Sequence, residues 1–161
     1  MQTIVKMGTT ENPRTQCLVV GIYNNKKHSA AAETIDGLTS NYITRLLRKG
    51  DFLANSGDTQ LCYDVEGLRS GRLLLLGLGK KDKLTAKSLA SALGKAARLL
   101  DKSNATDMTF TLPGSLDDKH AVYTATRAIA SAMAEAQYQS DHCKSEKDSP
   151  KKPLRSLNLL V

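Results

Sequence analysis

Lys80, Lys81 and Lys83 directly follow the pair Gly77-x-Gly79. No other stretch of the chain comes closer to a phosphate cradle. Glycines let backbone N–H groups approach an anion, and ammonium groups then neutralise it. A dinucleotide fingerprint needs a further glycine where the next helix starts, and Lys80, Lys81, Asp82 and Lys83 fill that space instead. No G-x-x-x-x-G-K-[ST] run occurs either. The glycines therefore read first as relief for a tight exit from a central strand. Lys80, Lys81 and Lys83 are the candidates for contact with a nucleic-acid backbone, a contact that salt would weaken steeply through counterion release.

The other chemistry-bearing residues are scattered. His28, His120 and His142 stand apart, and His142 next to Cys143 has no second ligand pair at metal spacing. Cys17, Cys62 and Cys143 are odd in number and form no C-x-x-C pair. Cys17 and Cys62 lie within apolar strand patterns and are expected to be buried thiols of a reducing compartment. Cys143 sits in a charged segment without periodicity, a poor place to preorganise a nucleophile, and no G-x-S-x-G elbow is present. Asp82, Asp117 and Asp118 suit helix N-termini, where the dipole favours negative charge. On these grounds no catalytic, metal-binding or cofactor-binding residue is assigned.

The elements around the glycine pair point to an α/β sheet. Leu73, Leu74, Leu75 and Leu76 leave no polar position on either side of a strand, so helices must cover both faces. Residues 16–23 are apolar on both faces as well and belong at the centre of the sheet. Residues 4–7, 59–65, 108–112 and 154–161 read as further strands. The third of these is expected to be half-buried, and 59–65 to turn Leu61, Tyr63 and Val65 inward, near an edge. Ser29 is expected to cap a helix ended by Gly37, Ser40 a helix ended by Gly50, and Thr85 a helix carrying Leu89, Leu93, Ala96, Ala97 and Leu100. Ser115 or Asp117 opens a long helix to about Tyr138, with Val122, Ala125, Ile129, Met133 and Ala136 on one stripe.

Bulk composition bounds the rest. A chain of 161 residues is one domain by size and buries about 70% of its unfolded surface without disulfide or metal. Aromatics make up 4%, with no Trp, so the core must be aliphatic and platforms for base stacking are few. The formal charge is +7 and the pI about 9.4, which permits a nucleic-acid partner. Part of that charge sits in residues 144–155, a basic and proline-bearing linker. No run approaches the ~18 apolar residues of a membrane span, so a cytoplasmic protein with no membrane partner is expected.

The order of segments resembles a known family. Leu18-Val-Val-Gly-Ile-Tyr23, Gly50-Asp-Phe, Gly57-x-Thr59-x-Leu61 and, most specifically, Arg72-Leu-Leu-Leu-Leu-Gly-Leu-Gly-Lys-Lys-Asp-Lys-Leu-Thr85 are similar to the N-terminal domain of the leucyl (cytosol) aminopeptidases. Lys151-Lys-Pro-Leu-Arg155 looks like the join before that family's catalytic domain. The resemblance implies a macro-like α/β domain with a mixed, mostly parallel sheet and helices on both faces. It implies residues 1–141 as that domain, and 142–161 as linker and closing strand leading to a C-terminal catalytic domain. It further implies a noncatalytic role packed within a homo-hexamer, with two divalent ions (manganese or zinc) held in the catalytic domain and none here. The family's Asn-Thr-Asp-Ala-Glu-Gly-Arg signature is missing from the chain, so no catalytic residue carries over. Two alternatives come with the resemblance. Macro-type folds hold ADP-ribose, which would need Gly77–Gly79 and the segment after Pro113-Gly114 to form a phosphate pocket. Some bacterial relatives bind DNA with this part of the protein.

Overall fold

The computed structural model describes residues 2–7, 12–24, 28–114, 119–143 and 154–161, without the side chains of 137 and 139–143. Its strands are β1 (Gln2–Lys6), β2 (Cys17–Tyr23), β3 (Thr59–Tyr63), β4 (Arg72–Gly79), β5 (Asp107–Thr111) and β6 (Ser156–Leu160). The helices are α1 (Ala30–Leu38), α2 (Tyr42–Lys49), α3 (Ala86–Asp101) and α4 (Lys119–Cys143). One six-stranded sheet runs in the order β1-β6-β5-β2-β4-β3. Only β3 is antiparallel, paired to β4. Helices cover both faces, as the leucine run demands, and the mixed, mostly parallel sheet is the one the family resemblance implies.

Strand alternation divides the core into two layers. Val19, Leu74, Leu76, Met108, Phe110, Leu157 and Leu159 meet α3 and α4 on one face. Leu18, Val20, Ile22, Leu73, Leu75 and Cys62 meet α1, α2 and Phe52 on the other. Leu73 to Leu76 are all fully buried. Strand β6 lies between β5 and β1, so the sheet needs both chain ends of the described fold. β5 proves interior rather than half-buried. With β2 on one side and β6 on the other, even Thr109 is buried.

Helix signals held with physical exceptions. Ser29 accepts from Ala32 N–H as expected, but α1 runs through Gly37 to Leu38. Thr39 ends it, its hydroxyl donating to the Ile35 carbonyl. Ser40 does not cap α2. Ser40 and Asn41 are both left-handed, and the buried Asp36 carboxylate accepts from Thr44 N–H in their place. Gly50 stops α2 at φ 78° as its position suggested. Thr85 and Ser88 form a reciprocal capping box on α3. α4 outlasts Tyr138 and reaches Cys143, so 142 and 143 belong to it and not to a linker. Tyr63 does not point into the core. At the end of β3, opposite Arg72 on β4, it is 60% exposed, and the Arg72 guanidinium lies 5.9 Å from its ring centroid.

Small residues let α3 and α4 approach. A Cβ at Gly94 would meet the Ala132 carbonyl and methyl at 3.7 and 3.8 Å, ordinary contact distances. Gly94→Ala should therefore gain helix propensity at no steric cost. It is expected to stabilise by about 0.5–1 kcal/mol and to raise Tm by about 2 °C in a thermal melt. A lower Tm would mean that the helices lie closer than described.

Candidate functional site at the glycine exit of β4

Gly77 and Gly79 lie at the C-terminal end of β4 and are buried. The segment 54–58 crosses directly over them. Gly77 N–H donates to the Asp58 carbonyl at 2.7 Å, and Gly79 N–H to the Ala54 carbonyl at 3.1 Å. Gly57 N–H returns a bond to the Gly77 carbonyl at 2.9 Å, and the Gly79 carbonyl accepts from Asn24 N–H at 3.0 Å. Both glycine amides that would cradle a phosphate are thus engaged with the protein's own backbone. Gly79 adopts φ 70°, which a side chain would resist.

After this exit, Lys81–Lys83 forms one 3-10 turn. Lys80, Lys81 and Lys83 are exposed. The Lys95 ammonium lies beside Gly57, 2.8 Å from where a Cβ would stand. The cations gather near the crossing, but they project outward and have no backbone donors of the glycine turn to work with. The segment after Gly114 required by the ADP-ribose reading, 115–118, lies outside the described residues, as do Asp117 and Asp118.

One cluster was not visible in the sequence. His28, expected to stand alone in a polar loop, forms a β-bridge with Ile22. Its Nε2 lies 3.3 Å from Thr44 Oγ1 and 4.0 Å from Asp36 Oδ2. The Thr44 hydroxyl donates to the same carboxylate. This Asp–Thr–His relay ties the β2–α1 turn to the start of α2. The Thr44 hydroxyl is committed to Asp36, so the relay offers no free nucleophile. The only advance sign was an Asp eight residues before a Thr, a separation no helix or strand period makes meaningful.

Among the described residues no group of at least three His, Cys, Asp or Glu gathers as metal ligands would. The donor set of the described residues does not fit a two-ion centre. His120 is exposed in the first turn of α4, while the side chains of His142 and Cys143 lie outside the description. Among the described residues no helix is long and apolar enough to cross a membrane.

Cys17 and Cys62 are buried and unpaired. Burial pushes the Cys17 thiol from 9.0 up to about 12. Tyr42 is held above its ordinary range by the hydrogen bond to Cys62, then by burial. Between pH 9.0 and about 12 the native Cys17 keeps a proton that the unfolded chain has lost. Stability must therefore fall as pH rises through that window. The loss assignable to Cys17 at about pH 10 is about 1.4 kcal/mol. Urea titrations near neutrality and at about pH 10 should show it as a slope that Cys17→Ala removes. An equal slope in both proteins would reject it.

The comparisons with known proteins bear on this geometry. Residues 19–147 match the profile of the cytosol aminopeptidase family, N-terminal domain. The chain belongs to that family. A probable cytosol aminopeptidase of Nitrosococcus oceani is 39% identical over 158 residues, covering 98% of this chain and 31% of that protein. One from Dechloromonas aromatica is 32% identical over 161 residues, covering 100% of this chain and 32% of the relative. The chain thus spans about a third of the length of the curated relatives it matches. Among solved structures, a mutant tomato leucine aminopeptidase superimposes with a TM-score of 0.77 at 19% identity, over 100% of this chain and 32% of that one. The macro domain of ganglioside induced differentiation associated protein 2 gives 0.69 at 13% identity, over 99% of this chain and 77% of that one. The likeness to the macro domain shows a shared fold; in this chain residues 54–58 engage the amides of the glycine turn.

Proposed function

We propose that this chain is the noncatalytic N-terminal part of a cytoplasmic, metal-dependent leucyl aminopeptidase that removes N-terminal residues from peptides. Residues 1–141 are the macro-like body, and 142–161 bring the end of α4, a linker and the closing strand β6 ahead of a catalytic domain. That domain would hold two divalent ions, manganese or zinc, and the whole would assemble as a homo-hexamer. Supporting the reading is the extent of the likeness: nearly all of this chain corresponds to only about a third of each relative. The engagement of the Gly77 and Gly79 amides by 54–58 favours a scaffold over an ADP-ribose module.

The test has two arms. The 161-residue chain should release no product from leucine p-nitroanilide with Mn²⁺ or Zn²⁺. Exchanged for the matching third of the Nitrosococcus oceani relative, it should yield an assembled, metal-dependent peptidase. Turnover by the chain alone, or a chimera that folds but neither assembles nor turns over, would sink the reading. Heat on titration with ADP-ribose would favour the macro-module alternative, and salt-sensitive DNA binding lost on removing Lys80, Lys81 and Lys83 would favour the DNA one.

A further inference from the structure

The open edge of β1 and the groove beside it carry an inference independent of the aminopeptidase reading. Strand β1 ends the sheet. Gln2 N–H donates to the Arg155 carbonyl, and the Lys6 carbonyl accepts from Val161 N–H. Residues 2, 4 and 6 therefore aim their peptide groups at β6, and strand alternation leaves the N–H and C=O of Thr3 and Val5 on the outer edge. The register of β1 on β6 is unbroken from Gln2 to Lys6. The strand holds no proline or bulge, two of the devices that commonly blunt an edge.

Beside this edge runs a groove of about 440 Å³, lined by Val5, Lys119, Val122, Tyr123, Thr126 and Val161. Its volume lies in the ~300–1,000 Å³ range of ligand pockets. Val5 is 49% exposed, Tyr123 64% and Val161 42%, with Met7 at 92% just past the strand. Apolar side chains stand beside peptide groups that bond to no other described residue, and together they suit an added strand, whose backbone bonds to the edge while alternate side chains enter the groove. Charge narrows the occupant. β1, β6 and the first sixteen residues of α4 (119–134) contain no Asp or Glu, but they carry Lys6, Lys119 and Arg127, with Arg155 just before β6. A second copy of this chain would bring like charge against like, whereas an acidic segment is attracted.

We propose that the outer edge of β1 and its groove form a strand-addition site for an extended polypeptide segment with apolar alternate residues flanked by carboxylates. The probe is the synthetic peptide acetyl-Asp-Val-Thr-Ile-Glu-amide, added at about 1 mM to the 161-residue chain. Amide exchange at Thr3 and Val5 should slow about tenfold, while a peptide with lysine at both acidic positions should bind about tenfold more weakly. Val5→Pro should abolish binding. It deletes an edge N–H that the sheet does not use, so the fold should persist. Should Val5→Pro fail to fold, Tyr123→Ser removes an exposed groove wall and should weaken binding several-fold. Unchanged exchange at Thr3 and Val5, or equal binding of the lysine peptide, overturns the proposal. So does peptide-independent protection that grows with protein concentration in step with dimerisation, which assigns the edge to a second copy.

Discussion

Replacing Gly77 by alanine is expected to cost about 3 kcal/mol or more and to lower Tm by roughly 10 °C. A Cβ at Gly77 would stand 2.0 Å from the Asn55 carbonyl oxygen and 2.8 Å from the Ala54 carbonyl carbon. Both obstacles are backbone, so no rotamer change relieves them. The crossing segment must lift. In lifting it strains or breaks the bonds Gly57 N–H to Gly77, Gly77 N–H to Asp58 and Gly79 N–H to Ala54, each with a net worth of about 1 kcal/mol. Gly21→Ala is the control. Its Cβ would meet Leu78 Cδ1 at 2.6 Å, the far end of a flexible side chain that can turn aside, so about 1 kcal/mol is expected. Thermal and urea denaturation of the two variants check the ranking. A Gly77→Ala protein melting with the wild type would reject the crossing and reopen the turn as an anion site.

That pair of glycines shows why the sequence was legible only in part. The leucine run and the β2 pattern need no partner to be understood, because four consecutive apolar residues fit only a strand covered on both faces. Thr85, Gly50 and Ser29 were legible for a similar reason: each acts within a few residues of itself. The structure departed from the sequence wherever a distant segment decided the outcome. Asp36 took over the cap of α2 because the α1–α2 corner folds back on itself, and Ser40 and Asn41 then turned left-handed. Tyr63 is exposed at the last position of β3, opposite Arg72, where alternation alone pointed it inward. What the Gly77-x-Gly79 turn does depends on residues 54–58, about twenty positions away, and no local pattern announces that crossing. The resemblance to the aminopeptidase family rested on the ordered segments themselves, and the family match covers residues 19–147.

β1 and β6 lie outside that matched stretch, yet β6 pairs with β5 inside it. Phe110 stands at this seam. It is opposite Val19 on one side and Leu159 on the other, fully buried in the layer under α3 and α4. With two Phe and no Trp in the chain, few larger side chains exist to fill the space. Phe110→Ala is therefore expected to lose about 4 kcal/mol, the transfer term plus an incompletely collapsed cavity. Phe110→Leu, which keeps most of the volume, should lose about 1 kcal/mol. Urea unfolding measures both, and hydrogen exchange adds the spatial test. If Phe110 couples the two parts of the sheet, Phe110→Ala should raise exchange in β6 and β1 more than in β2 and β4. β2 and β4 keep their other layer, Leu18, Val20, Leu73 and Leu75 on α1 and α2, whereas β6 and β1 reach the rest of the sheet only through β5. Uniform loosening of all six strands would instead mean one indivisible cooperative unit, and the seam would have no energetic meaning.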